Sequence, residues 1–129
     1  METEFLPHNT HLMSVKQFGK TDPHLRRMHQ QKYVFESPII KQLPIDIAGI
    51  YNIGGGRQIG KTTLLKQWMT QLMTLGVRPE AIAFLSCELI VDENSLYRII
   101  SHQLNTMPQS TMRYLILDEI TYVLNWDKA

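Results

Sequence analysis

The 129-residue sequence has little cysteine, little net charge and no long apolar run. Its single cysteine, Cys87, excludes a disulfide framework within the chain and favours a reducing compartment, so we expect a cytoplasmic protein. The 13 basic and 12 acidic residues leave a net charge of +1, which neither indicates nor excludes nucleic acid as a partner. No segment approaches the ~20 apolar residues of a membrane span, and the N-terminus lacks the apolar stretch of a secretory signal.

Hydrophobic residues make up 43% of the chain, and its length suffices for one domain with a buried core. Residues 1–21 are polar and show no periodicity, so we expect a flexible N-terminal arm. The rest, residues 22–129, is expected to form one partial domain, introduced by a lead-in segment over 22–46.

A glycine-rich motif, G-x-x-x-x-G-K-T, is the most informative feature of the chain. Its glycines allow backbone N–H groups to surround phosphate oxygens, its lysine supplies a cation for the β- and γ-phosphates, and its threonine hydroxyl is a ligand for Mg²⁺. The alternative is a glycine turn that exposes a lysine. The phosphate-binding interpretation gives the candidate residues Gly55, Gly56, Arg57, Gln58, Ile59, Gly60, Lys61, Thr62 and Thr63.

The segments around this motif support the phosphate-binding interpretation. Residues 47–53 are apolar and predict a buried strand that leads into the loop. Residues 61–75 predict the helix that follows, with Gly76 ending it in a left-handed conformation. On that helix the spacing predicts one packed face, formed by Leu64, Leu65, Trp68, Leu72 and Leu75.

A second apolar segment, residues 114–117, ends in the acidic pair Asp118 and Glu119. Such a segment is typical of a buried parallel strand with its polar end at the ligand-binding edge of the sheet. Asp118 would bind Mg²⁺ together with Thr62, and Glu119 would act as the general base that orients the attacking water. The catalytic candidates are therefore Glu119 and Lys61. The alternative is a strand that ends in a solvated acidic turn.

Three further elements complete the predicted order. Asp22 and Pro23 predict the start of a short helix that runs through Gln30. Residues 81–87 predict another buried strand, and Asp92 predicts the N-cap of a helix over 93–105. Strand, loop, helix, strand, helix, strand is the order of an α/β protein with a parallel sheet and flanking helices.

The loop Gly55–Thr63 and the acidic segment Leu117–Trp126 together resemble the AAA-superfamily ATPases of bacteria and archaea. The similar group reads roughly G-P-R-Q-V-G-K-T-T and L-D-E-I-x-x-V-x-x-W at these positions, and Gly56 replaces its proline. The resemblance implies a P-loop NTPase fold with ATP and Mg²⁺ as cofactors. In that family two more strands follow the acidic one, so we expect a sheet truncated after its third core strand. We therefore expect an N-terminal fragment that lacks the family's C-terminal domain. The alternative is a minimal three-stranded sheet whose exposed edges favour self-association.

Three functions remain open at this stage. The first is Mg²⁺-dependent ATP hydrolysis by an AAA-type domain. The second is a nucleotide-binding or assembly module without turnover. The third, a small-molecule phosphotransferase, ranks last, because such enzymes usually have an arginine-rich lid and residues 88–113 contain only Arg98 and Arg113.

Overall fold

The computed structural model describes residues 1, 3–30, 43, 45, 47–51 and 60–128. The chain divides into two compact units. We name Thr10–Pro79 the helical unit, and Met1–Asn9 with Glu80–Ala129 the sheet unit. Within the described ranges, no helix combines the length and apolar composition that crossing a bilayer requires.

The helical unit contains α1 (Phe18–Thr21), α2 (Pro23–Gln30) and α3 (Lys61–Thr74). Helix α2 begins where the sequence predicts, because Asp22 caps it. One carboxylate oxygen of Asp22 accepts hydrogen bonds from the backbone N–H of His24 at 2.9 Å and of Leu25 at 3.1 Å. Pro23 takes the first helical position, where a backbone donor is not needed.

The last turn of α3 confirms the predicted role of Gly76. Gly76 has φ +98°, and its N–H donates to the carbonyl of Met73 at 3.1 Å. The N–H of Val77 donates to the carbonyl of Leu72 at 3.0 Å. These two bonds form a Schellman motif, which satisfies carbonyls that the helix itself leaves without donors.

The buried face of α3 differs from the predicted one. Its fully buried residues are Lys66, Met69 and Leu72, whereas Leu75 is 53% exposed. The predicted face therefore holds for Leu72 and is wrong for Leu75. Apolar spacing alone does not place Lys66 on the buried face, because a lysine is rarely fully buried unless it is paired.

The strand predicted over residues 47–53 is wrong for its described part. Residues 47–51 contain bends and no strand, and Ile50 is 95% exposed. The hydroxyl of Tyr51 donates to the carbonyl of Ile47 at 3.0 Å, which is a local contact across four residues. An apolar run becomes a buried strand only when neighbouring strands accept its backbone hydrogen bonds, and composition does not supply them. Residues 52 and 53 lie outside the described residues.

The sheet unit is built on two parallel strands, β1 (Ile82–Ser86) and β2 (Tyr114–Asp118). Helix α4 (Glu93–Thr106) joins them in sequence, as a parallel pair requires. The register pairs Ile82 with Tyr114 at one end and Ser86 with Asp118 at the other. Both strands and α4 lie within one or two residues of their predicted bounds, and the predicted α/β class with a parallel sheet is confirmed.

The core of this unit lies where β1, α4 and the segment after β2 meet. The fully buried members of its main cluster are Phe5, Leu85, Cys87, Ile90, Leu96 and Val123. Trp126 packs against this cluster.

The N-terminal residues differ from the arm that the sequence predicts for 1–21. Residues Thr3–His8 form a 3₁₀ helix, and Phe5 is buried in the core of the sheet unit. Asn9 is buried beside β1: its Oδ1 accepts from the N–H of Phe84 and its Nδ2 donates to the carbonyl of Phe84, both at 2.7 Å. One amide side chain thus bonds to β1 as a neighbouring strand would, a contact that composition does not reveal.

Candidate functional site

Helix α3 is preceded by Gly60, which occupies its N-cap position. Of the motif residues before the helix, Gly60 is the one that lies among the described residues. Gly60 has φ 75° and ψ 27°, a left-handed conformation that is costly for residues with a Cβ. Its carbonyl accepts the first helical hydrogen bond, from the N–H of Leu64 at 2.9 Å. Gly60, the second glycine of the motif, therefore suits this position because the start of the helix needs a left-handed backbone.

Lys61, Thr62 and Thr63 form the first turn of α3 and are half-buried. The N-cap residue, Gly60, has no side chain with which to cap the helix, and the first turn contains no acidic residue. The backbone amides of a first turn point out of the helix, and the helix dipole makes that end positive. An arrangement of this kind suits an anion such as phosphate, with the Lys61 side chain adding a cation.

The other predicted phosphate contacts lie outside the described residues. They are Gly55, Gly56, Arg57, Gln58 and Ile59. Their roles, and the shape of the loop they form, stay predictions.

The acidic pair lies at the carboxyl end of β2, as predicted. Asp118 is the last residue of the strand and is only 7% exposed. Glu119 follows with φ 56°, a left-handed conformation that is uncommon for a residue other than glycine. Strained backbone of this type is concentrated at functional sites, and here it turns the chain sharply just after Asp118.

Cys87 lies in the core close to this acidic end. Burial, together with the negative charge of Asp118, raises the pKa of the Cys87 thiol to about 12. The thiol contacts the carbonyl of Leu85 at 3.7 Å. Cys87 is therefore protonated at neutral pH, which does not suit a nucleophile.

The two halves of the predicted site belong to different units. Lys61 and Thr62 lie in the helical unit, and Asp118 and Glu119 lie in the sheet unit. Each half has the local structure expected of it. Their meeting around one nucleotide stays a prediction.

Sequence reasoning missed one feature of the helical unit, the buried ion pair between Asp22 and Lys66. The Lys66 ammonium donates to the second carboxylate oxygen of Asp22 at 2.5 Å, and both side chains are fully buried. The Asp-Pro pair indicated a helix start but not a second partner for Asp22. The only available signal was the position of Lys66 three residues before Met69, on the buried face of α3.

These features are typical of one class of protein, the α/β nucleotide-binding proteins, in which a glycine precedes a helix and a parallel strand ends in an acid. A family model described as an AAA domain matches residues 48–129, more than half of the chain. The chain therefore belongs to the AAA domain family, and at that level its function is that of a nucleotide-binding, ATPase-like domain. Neither the comparison with curated proteins nor that with solved structures gives a match.

Proposed function

We propose that this AAA domain binds ATP together with Mg²⁺ and hydrolyses it to ADP and phosphate. The observation that carries the proposal is the start of α3, where left-handed Gly60 is followed directly by Lys61 and Thr62. A helix that begins on glycine, without a side-chain cap or an acid in its first turn, favours an anionic ligand at that end.

Phosphate binding would use the backbone of the first turn and the Lys61 cation. The helix dipole attracts the negative phosphates, and the Lys61 ammonium balances charge on the β- and γ-phosphates. Residues Gly55–Ile59 would complete the enclosure with their backbone amides. Much of the catalysis in phosphoryl transfer comes from such positioning and charge balance.

The oxygen donors of Thr62 and Asp118 fit Mg²⁺, which prefers hydroxyl, carboxylate and water oxygens. In the described ranges there is no group of three or more His, Cys, Asp or Glu side chains able to hold a metal ion. Mg²⁺ on a nucleotide takes only one or two protein ligands, so Thr62 and Asp118 would suffice. When bound, Mg²⁺ would neutralise charge on the phosphates.

Glu119 would orient the attacking water and accept its proton. It follows Asp118 directly, and its left-handed backbone gives its side chain a different direction from that of a continuing strand. The half-buried Glu119 carboxylate remains accessible to a water molecule. A base next to the metal ligand is suited to in-line attack on the γ-phosphorus.

Two substitutions test this function in one pair of assays. Binding of Mg-ATP is measured by calorimetry and turnover by phosphate release, for the wild-type chain, Lys61→Ala and Glu119→Gln. We expect Lys61→Ala to lose binding, and Glu119→Gln to bind but not to turn over. Lys16→Ala, which removes an exposed lysine, is the matched control and should behave as wild type.

The outcomes separate the two functions left open by the sequence. Wild-type binding without phosphate release would favour a nucleotide-binding or assembly module. If Lys61→Ala bound Mg-ATP as tightly as wild type, the phosphate site at α3 would be wrong.

A further inference from the structure

We infer that the buried Asp22–Lys66 ion pair is a positioning pair, which fixes the α1–α2 segment against α3 and thereby sets the start of α3 for nucleotide binding. In this role neither Asp22 nor Lys66 contacts phosphate. They act through the geometry of α3. The inference rests on the proposed function, since it concerns affinity at the same site.

Asp22 connects three structural elements. Its backbone N–H donates to the carbonyl of Phe18 at 2.9 Å, at the end of α1. One carboxylate oxygen caps the first turn of α2, and the other accepts from the Lys66 ammonium in α3. A single residue therefore bonds to the end of α1 through its backbone, and to the start of α2 and to α3 through its carboxylate.

Lys66 is held from a second side by an aromatic ring. Its ammonium lies 5.9 Å from the centre of the Phe18 ring, within cation–π range. Phe18 is itself buried, and the ring of His11 contacts it edge-on at 5.5 Å between centres. The lysine is thus confined by a carboxylate and a ring that belong to the same N-terminal segment.

The next residue of α3 adds a contact further along α2. The Gln67 side-chain amide donates to the sulfur of Met28 at 2.7 Å. Lys66 contacts Asp22, the residue that caps α2, and Gln67 contacts Met28 in the last turn, so α3 makes contacts at both ends of α2. The two contacts together determine the position and the rotation of α2 on α3.

The energetics favour a geometric role for the pair. Desolvating two charges costs about as much as their attraction returns, so a buried ion pair contributes little net stability compared with apolar residues. What it provides is selectivity, because a displaced arrangement would leave one charge buried without its partner. Lys66 lies five residues after Lys61, about 7.5 Å along the axis of the same helix. A change in the axial position or rotation of α3 at Lys66 is therefore transmitted to its first turn.

The test is the double variant Asp22→Asn with Lys66→Met, which removes both charges at nearly constant volume. Asparagine is as good an N-cap as aspartate, so α2 keeps its start. We expect the double variant to fold, with a melting temperature within a few degrees of wild type, and to bind Mg-ATP about 10-fold more weakly. Asp92→Asn is the matched control: it changes the N-cap aspartate of α4, whose carboxylate accepts from the N–H of Ser95, and should leave the affinity unchanged.

Wild-type affinity in a folded double variant would overturn the positioning role. Lys61→Ala, measured in parallel, separates this failure from that of the proposed function. If Lys61→Ala loses binding and the double variant keeps it, only the positioning role is wrong. If the wild-type chain itself does not bind Mg-ATP, both are wrong.

Hydrogen exchange on the wild-type chain gives a second measurement that does not depend on how the variants fold. Coupling is reciprocal, so Mg-ATP should slow amide exchange in residues 18–28 as well as at the start of α3. Protection at residues 61–66 with no change in 18–28 would contradict the inference.

Discussion

Helices α3 and α4 each have 14 residues, but their first turns are built differently. Helix α4 begins at Asp92, whose carboxylate accepts from the N–H of Ser95 at 2.9 Å, and Glu93 adds a second acid. Helix α3 begins at Gly60, with neither a capping side chain nor an acid. The chain thus supplies its own negative charge to the start of α4, whereas the start of α3 suits a negative ligand.

The two helices also end differently. Helix α3 ends in a Schellman motif at left-handed Gly76. Helix α4 ends at Met107 in an extended conformation, and its Leu104 carbonyl accepts from the side chains of Gln109 and Arg113, each at 3.1 Å. Backbone conformation completes the end of α3, and side-chain donors help to complete the end of α4.

The largest effect is expected from giving α3 an acidic start like that of α4. Gly60→Asp would introduce a negative charge where phosphate is proposed to bind, and should weaken Mg-ATP binding roughly 100-fold, as measured by calorimetry. Gly60→Asn is the matched control, because asparagine also tolerates the left-handed conformation but carries no charge. Equal affinities of the two variants for Mg-ATP would show that charge at this position does not affect binding. The difference between the two helix starts would then not explain nucleotide binding.

The next effect concerns the end of α3. A Cβ on Gly76 would meet no atom within 4 Å, so Gly76→Ala tests backbone conformation alone. The left-handed conformation should cost about 1 kcal/mol of unfolding free energy, measured by urea denaturation. Thr106→Ala, near the end of α4, is a useful comparison because that helix ends without a left-handed residue. If Gly76→Ala had the same unfolding free energy as wild type, the left-handed glycine of the Schellman motif would contribute little to stability.

A smaller, pH-dependent effect is expected at the start of α4. Hydrogen bonds from Ser95 lower the pKa of Asp92 below its ordinary value of 3.8. The charged cap therefore stabilises the fold above pH 3.8, and this contribution disappears as the pH falls below that value. Asp92→Ala should lower the melting temperature at pH 7 by less than Gly76→Ala does, and the difference from wild type should vanish in acid.

Asp92→Asn serves as the control for that titration. Asparagine caps a helix without a titrating group, so its stability relative to Asp92→Ala should not change with acidification. A pH-independent difference between wild type and Asp92→Ala would contradict the role of the charge.

The smallest effect is expected at the end of α4. Arg113 is exposed, and its bond to the carbonyl of Leu104 is one of three to that oxygen, beside those from the Gln109 side chain and the Met107 N–H. Arg113→Met should change the unfolding free energy by no more than about 0.5 kcal/mol, again measured by urea denaturation. A loss comparable to that of Gly76→Ala would show that side-chain donors matter as much as backbone conformation.

Much of the local structure could be predicted because its signals act over a few residues. The Asp22 and Asp92 caps, the Gly76 terminator and the helix after Gly60 all depend on contacts within one turn. The parallel strands β1 and β2 were predictable from continuous apolar runs separated by a helix. Asp118 and Glu119 followed from the strand end, although the left-handed backbone of Glu119 did not.

Other features could not be predicted because they depend on distant partners. A strand over residues 47–53 would need neighbouring strands as hydrogen-bond partners, and the local sequence does not specify such partners. Residues 47–51 contain bends and no strand. Residues 1–21 are mostly polar, so their composition does not predict that the side chains of Phe5 and Asn9 are buried. The burial of Lys66 depends on its pairing with Asp22, which lies 44 residues earlier in the chain.

The sequence by itself determined where helices start and stop, which strands are parallel, and which residues are candidates for phosphate and metal. These follow from backbone preferences and short hydrogen bonds, which are encoded within a few neighbouring residues. Only the tertiary structure decided that Asp22 pairs with Lys66, 44 residues away, and that Asn9 bonds to Phe84, 75 residues away. Contacts of such separation depend on how whole elements pack, because burial and charge pairing are properties of the assembled core.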